Sequence, residues 1–352
     1  MTIKLIHRYI SLVFAAFWLL QAVTGMVLAF RWELDDAGVA GSRAAFNAQA
    51  LERRIDAINA VPGQHVGSMW AMGTSGKRYD IYYSTAGGDR TLRVDGMGTP
   101  LRDRSDTGLG NGNIYDRLTT LHVSLFAGDI GKWIIGLSGL VLLTNIGLGL
   151  KLAWPRAGMW LKALKLPPKA RGPGALFVWH RSLGLWLAVP AFITITAGVL
   201  MVMEDPLTTF FKADIPSPTD STSDAPLTVT PASAIEAALT RFPNGEISGV
   251  SMPETDAQWY RIRLRAHGEM PRMWGRSTVY VSAQTGEVLG AYDARASQPA
   301  ARVMLDTLYP LHTGQIGGPV GRVIVILIGA WLLTMIGVGL NLWWARRTRM
   351  KV

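Results

Sequence analysis

The chain has 352 residues, of which 49% are hydrophobic and only 17% charged, with a positive mean hydropathy and a formal net charge of +10. That balance makes a membrane protein the leading class, and the absence of cysteine excludes both a disulfide framework and covalent C-x-x-C-H haem attachment. In a soluble protein the charge would suggest a nucleic-acid partner; here its placement argues for none.

Four apolar runs are long enough to cross a bilayer, roughly 20 residues each: 9–30, 133–153, 182–203 and 323–344. The first follows a short basic stretch, but it exceeds the h-region of a signal peptide and no A-x-A site follows, so it reads as a retained span. Lys4 and Arg8 precede it. Lys151, Arg156, Lys162, Lys165, Lys169 and Arg171 lie between spans two and three, and Arg346, Arg347, Arg349 and Lys351 follow span four. None of these three segments carries an acid. The positive-inside rule therefore puts both termini and the 151–180 loop in the cytoplasm, and the loops near 31–130 and 204–320 outside.

Within the first outer loop the pattern predicts a helix near 43–59, strands near 66–72, 78–84 and 90–94, and a turn at 95–98. The second is clearer. Thr230-Pro231 reads as N-cap and first helical residue, and Ile235, Ala238, Leu239 and Phe242 give the helix an apolar face. Alternating runs follow at 246–252, 259–264, 278–281 and 288–289, with arginines 261, 263 and 265 on one face and a Thr285-Gly286 turn. This is an antiparallel-sheet signal. Residues 214–226 read as a Pro/Ser/Asp/Thr linker.

The chain also repeats itself. Residues 116–156 align with 306–346 without a gap at an offset of about 190. Asp116 meets Asp306, Leu121-His122 meets Leu311-His312, Gly131-Lys132 meets Gly321-Arg322, and Trp154-x-Arg156 meets Trp344-x-Arg346. Likewise His7-Arg8 with Gly25 corresponds to His180-Arg181 with Gly198, an offset of about 173. Two copies of span, outer domain and span fit parallel repeats about an axis along the membrane normal.

Four of the six histidines occupy these repeated positions: His7 and His180 at the cytoplasmic span ends, His122 and His312 toward the outer ends. A lone histidine there is commonly an interfacial polar residue. Symmetric pairs at two depths suit axial ligation of two haem irons, His7 with His180 and His122 with His312. Zinc would want three or four ligands, and no Cys or clustered acid accompanies these residues. Haem propionates would need cations, for which Arg8, Arg181, Lys132 and Arg322 are candidates; lipid headgroup anchoring is their other role. Gly139, Gly147 and Gly149, with Gly329, Gly337 and Gly339, allow helices to approach closely or a flat macrocycle to slot between them. Gly317-Gly318-Pro319 argues against one continuous helix from His312 into span four. His65 and His267 read as surface loop residues. Met69, Trp70, Met72, Trp259, Met270, Met273 and Trp274 read as core, with Trp259 or Trp274 as candidates to line a substrate path.

His-Arg opening spans one and three, Leu-His before spans two and four, Trp-x-Arg closing those spans, and a strand–Thr-Gly–strand turn ending the outer module together resemble the PepSY-associated transmembrane family, and within it the FoxB-type ferric-siderophore reductases. The first outer domain departs from that pattern. The resemblance implies a membrane α-helical fold: a four-helix transmembrane bundle from two tandem repeats, with periplasmic α+β PepSY-like domains. It divides the chain into span one (1–31), a first periplasmic domain (32–115), a histidine segment with span two (116–156), a basic cytoplasmic loop (157–175), span three (176–204), a second periplasmic domain (205–300), and a histidine segment with span four and a cytoplasmic tail (301–352). It implies two non-covalent b-type haems, a bacterial inner-membrane location, and reduction of periplasmic ferric siderophores to free Fe(II). No G-x-G-x-x-G follows a strand, so a quinol or a separate cytoplasmic reductase would be the electron donor. The alternatives are a membrane-anchored PepSY module that binds or inhibits another protein without catalysis, and a siderophore permease.

Overall fold

The structure, a computed structural model, describes residues 2–73, 77–106, 113–166, 172–218 and 226–349. Lys169, Arg171, Lys351, the Arg349 side chain and positions 219–225 of the linker lie outside the described residues. In chain order the elements are α1 (Ile3–Leu28), α2 (Arg31–Ala37), α3 (Ala48–Asn59), β1 (His65–Ala71), β2 (Arg78–Ser84), β3 (Arg90–Asp95), β4 (Pro100–Ser105), α4 (Ile114–Ser124) and α5 (Gly128–Ala153). Then come α6 (Trp160–Leu164), α7 (Pro173–Val202), α8 (Glu204–Phe211), α9 (Pro231–Arg241), β5 (Glu246–Ser251), β6 (Trp259–Arg265), β7 (Ser277–Ser282), β8 (Val288–Tyr292), α10 (Ala300–His312) and α11 (Gly318–Arg349). They form two compact units.

The helical unit comprises Met1–Phe30, Leu118–Phe210 and Thr307–Val352. Among the described residues, four helices are long and apolar enough to span a membrane: α1, α5, α7 and the segment Gln315–Arg347 containing α11. Each packs on two others, giving a ring α1–α5–α7–α11 in which α1 faces α7 across the middle. At its centre Trp18, Leu142, Ile146, Ala188, Ala191, Ile328 and Trp331 bury one another. Two indoles there are tied by hydrogen bonds, Trp18 Nε1 to Ser138 Oγ (3.1 Å) and Trp331 Nε1 to the Leu183 carbonyl (2.7 Å). The outward faces carry large exposed apolar side chains, such as Val13, Ile130, Leu137, Val189 and Val320. Water would not tolerate that stripe on all four helices; lipid does.

Small residues set the helix spacing. A Cβ added at Gly139 would fall 2.5 Å from Val199, and one at Gly329 would fall 2.4 Å from Met26, so α5–α7 and α1–α11 meet at glycine. After His312 the chain breaks at Gly314 and Gly318, both at positive φ, around a short 3₁₀ turn (Gln315–Gly317).

The second unit comprises Arg31–Arg117 and Phe211–Asp306. Thr230 caps α9 by accepting from Ser233 N. Asn47 caps α3, accepting from Ala50 N at 2.8 Å, which starts that helix later than the apolar pattern alone suggests. The two outer segments were expected as separate domains; they form one eight-stranded antiparallel sheet, ordered β4-β3-β2-β1-β5-β6-β7-β8. The seam is the β1–β5 pairing, centred on Met69 opposite Val250. Strand alternation puts Met69, Ile81, Val94, Val250, Ile262, Leu264 and Val279 into one core with Leu51 and Ile55 of α3 and Ile235 of α9. A joint core explains the merger, since each half alone would leave its seam strand as an open hydrophobic edge. β4, with Pro100 first and three charged residues among its six, is an edge strand that apolar alternation could not reveal. His65 opens β1 instead of lying in a loop.

The opposite face of the first half is closed by charge. Arg93, 1% exposed, is gripped by Asp80 (2.7 Å) and by Asp35 of α2 (2.6 Å), while Arg78 pairs with Asp36 at 2.7 Å. Buried charges persist only when paired and hydrogen-bonded in this way.

Candidate functional site

The four repeated histidines come together in two pairs inside the helical unit. His7 of α1 and His180 of α7 have ring centroids 6.2 Å apart; His122 of α4 and His312 of α10 have centroids 6.3 Å apart. All four rings are half-buried. α1 and α7 lie diagonally across the bundle, so His7 and His180 meet in its interior.

Each imidazole lies against a neighbouring helix beside a glycine. His7 Nδ1 donates to the Asn145 carbonyl of α5 (3.1 Å), and the residue one turn later is Gly149, where a Cβ would stand 3.2 Å from His7 Cε1. His312 Nδ1 donates to the Thr194 carbonyl of α7 (2.9 Å), and a Cβ at Gly198 would stand 2.6 Å from its Cε1. His122 Nδ1 donates to Thr24 Oγ1 (2.8 Å), beside the Gln21 carbonyl of α1, and a Cβ at Gly25 would stand 3.2 Å from His122 Cε1. The Thr24 hydroxyl in turn donates to the Leu20 carbonyl at 2.8 Å. His180 lies beside Gly339 of α11, where a Cβ would stand 3.3 Å from its Cε1. Its Nδ1 is buried beside the Met335 carbonyl, with no hydrogen bond of ordinary geometry among the described residues.

What all four share is a glycine one turn past a helix carbonyl beside the ring. A helical carbonyl already accepts the N–H four residues on; its remaining lone pair is reachable only if that later residue has no Cβ in the way. Glycine there lets an imidazole dock edge-on. Asn145 and Met335 share the 190 offset, as do Gly149 and Gly339; Gln21 and Thr194 share the 173 offset, as do Gly25 and Gly198.

At His7, His122 and His312, donation from Nδ1 fixes the tautomer and leaves the Nε2 lone pair for a metal. A metal bonded to one nitrogen of each ring at about 2.0–2.1 Å, with each ring centre about 1.1 Å further back, requires centroids roughly 6.3 Å apart. Both pairs meet that distance. The donor set is two neutral imidazoles per site, and no group of three or more His, Cys or acidic residues that could hold a bare ion occurs among the described residues. Two imidazoles at this spacing fit a metal whose other ligands come from a cofactor. His7 and Gly25 stand at the two levels on α1, eighteen residues or about 27 Å apart along the axis; His180 and Gly198 are separated equally on α7.

The four candidate cations have protein partners. Arg181 Nε donates to the Ala153 carbonyl at the end of α5 (3.0 Å), and Arg322 Nε donates to Ala29 near the end of α1 (2.7 Å) with its guanidinium over Phe30. Both sit where a helix dipole favours a cation. Lys132 faces Asp205 at 3.4 Å, and exposed Arg8 lies against Tyr9. His65 and His267 line shallow surface depressions in the sheet unit. Trp274 is held in an aromatic cluster, its centroid 5.3 Å from Trp70 and 4.9 Å from Trp32, with Nε1 donating to the Ala71 carbonyl. Met72 and Met273 are buried there. Sequence reasoning named Gly25, Gly149, Gly198 and Gly339 only as repeated small residues; their recurrence beside the histidines was the available signal. Thr24, Asn145 and Thr194 it missed.

No match to a curated protein is found for the chain. The family model described as the PepSY-associated TM region matches residues 5–346, nearly the whole length and all four histidines. This multi-pass membrane protein belongs to the PepSY-associated transmembrane family.

Proposed function

We propose that the protein is a di-haem oxidoreductase of the bacterial inner membrane, which carries electrons across the bilayer and reduces ferric-siderophore complexes on the periplasmic side, releasing Fe(II). The observation that carries this reading is the pairing of the imidazoles at 6.2 and 6.3 Å, at two levels of one bundle. His7 with His180, and His122 with His312, would each hold one b-type haem, which supplies reversible one-electron chemistry.

The chain's own residues orient and tune. Donation to the Asn145 and Thr194 carbonyls and to Thr24 Oγ1 keeps the rings in one rotamer and tautomer and raises their basicity as ligands. Arg8, Arg181, Lys132 and Arg322 would balance the propionates. The basic segments favour both termini in the cytoplasm, where a quinol or a separate reductase would deliver electrons. The two offsets, recurring down to the carbonyl and glycine that seat each ring, favour descent from two tandem repeats.

The test is a visible spectrum of the purified protein, oxidised and dithionite-reduced, with haem quantified per chain. Two haems with paired low-spin Soret and α bands support the reading. A colourless protein purified under haem-replete expression overturns it.

A further inference from the structure

The two halves of the sheet treat charge differently on the face opposite α3 and α9. In the first half every deeply buried arginine is clamped by carboxylates, as at Arg93 and Arg78. In the second half, alternation along β6 turns Tyr260, Ile262 and Leu264 into the core and puts Arg261, Arg263 and Arg265 on the other face. Arg265 pairs with Glu246, and Arg261 donates to Ser251 Oγ at 3.1 Å.

Arg263 stands between them. Among the described residues its guanidinium has no carboxylate partner and no hydrogen-bond acceptor; it lies over the Trp70 ring, Cζ 5.7 Å from the centroid. Burial, then the positive charges of Arg276, Arg272 and Arg261, pull its pKa down to about 10, so it remains a cation at neutral pH. Glu269, the acid that offsets this, has its carboxylate engaged by the backbone N–H groups of Ala266, Arg276 and Ser277. Arg276 meets Asp306 at 2.7 Å, but that carboxylate also serves Arg302 at 2.8 Å and the Tyr292 hydroxyl. A half-buried guanidinium among like charges, without a counter-ion, is costly in a folded protein unless an anion completes it.

The aromatic floor is fixed as well. Trp70 lies across Gly249 of β5, where a Cβ would fall 2.5 Å from its ring, and Trp274 is pinned by its bond to Ala71. Both rings are partly exposed. Cation and ring together select a ligand that is both anionic and aromatic.

We propose that Arg263, with Arg272 and Arg276 beside it and the Trp70–Trp274 rings beneath, is the recognition site for an anionic ferric chelate of the catecholate class. This rests on the ferric-chelate reductase reading above. A ferric tris-catecholate is trianionic and presents flat rings, matching both features; a ferric tris-hydroxamate has an uncharged core and presents neither.

The experiment is equilibrium dialysis of the full-length protein in detergent against a ferric tris-catecholate and, separately, a ferric tris-hydroxamate of similar size, scoring bound iron at low and high salt. The expected result is about tenfold or tighter binding of the catecholate. High salt shrinks that preference, Arg263→Gln and Arg272→Gln abolish it, and Arg263→Lys keeps part of it. Melting curves accompany each variant. If one melts early, the salt dependence of the wild type and the lysine variant decide. Equal binding of the two chelates, or a preference unchanged in both glutamine variants, overturns the site. The outcomes separate from those of the parent reading: haem-loaded protein without the preference sinks only the site. Haem-free protein that keeps it sinks only the reductase.

Discussion

His312 and Gly198 are in contact through a helix carbonyl: His312 Nδ1 donates to Thr194 O at 2.9 Å, and a Cβ on Gly198, one turn on, would lie 2.6 Å from His312 Cε1. On the proposed reading the glycine is part of the ligand site, because it decides whether the imidazole can reach the acceptor that orients it. The same relation joins His7 to Asn145 and Gly149, so one device serves both levels of the bundle.

Gly198→Ala should therefore damage the His122–His312 site. The added methyl stands nearer than carbon atoms approach one another, and the ring must leave either the carbonyl or its partner. Haem per chain is expected to fall by about half. Gly339→Ala, whose methyl would meet His180 at 3.3 Å, should retain nearly full haem with a small spectral shift. Full haem in both variants would refute the seating role.

The pairing itself is tested by stoichiometry. His312→Ala and His180→Ala should each keep about half the haem, and the double variant almost none. Pairing within one copy, His7 with His122, is incompatible with the roughly 27 Å between the levels. Unchanged haem in both single variants would return the histidines to interfacial polar residues.

The spans were legible because length and hydropathy are local properties, and the histidine pairs because repetition at fixed offsets survives without knowing the fold. The strands of the second half, 246–252 and 259–264, were likewise visible from alternation. The joining of the two outer segments was not: the Met69–Val250 seam pairs residues far apart in sequence, and neither strand's pattern names its partner. No sequence pattern singles out Asp35 and Asp36. Only the placement of α2 makes them counter-charges for Arg93 and Arg78. The glycines suffered similarly, since their use depends on which helix brings the imidazole.

The buried Arg93 network should set the acid stability of the sheet unit. Burial alone raises the Asp35 pKa, but Arg93 and Arg102 outweigh it and the net shift is downward. A depressed carboxylate contributes stability fully above its unfolded pKa, near 4, and loses it as pH falls through the folded value. Melting temperature is thus expected to drop as pH falls below about 4. Arg93→Leu removes the attraction and strands Asp80, whose carboxylate bonds Arg93 through both oxygens; at neutral pH it should cost about 3–5 kcal/mol and flatten the Asp35 part of the acid loss. A variant as stable as the parent at pH 7 would contradict this.

Arg322 and Lys132 occupy equivalent positions in the 190 repeat, yet their surroundings predict unequal effects. Arg322 is 9% exposed, donates to Ala29 O at 2.7 Å and covers Phe30; its removal leaves a carbonyl near the end of α1 without its charged donor. That loss should cost about 1.5–3 kcal/mol, the range for hydrogen bonds to charged groups. Lys132 is partly exposed and meets Asp205, itself 87% exposed, at 3.4 Å, a surface pair of the kind that contributes about 0–1 kcal/mol. Thermal unfolding in detergent of Arg322→Gln and Lys132→Gln makes the comparison. Arg322→Gln should melt clearly earlier and Lys132→Gln close to the parent, with the small Lys132 effect shrinking further in high salt. Equal destabilisation would mean that both cations act mainly through a shared role, such as holding propionates, and that the helix-end contact of Arg322 contributes little.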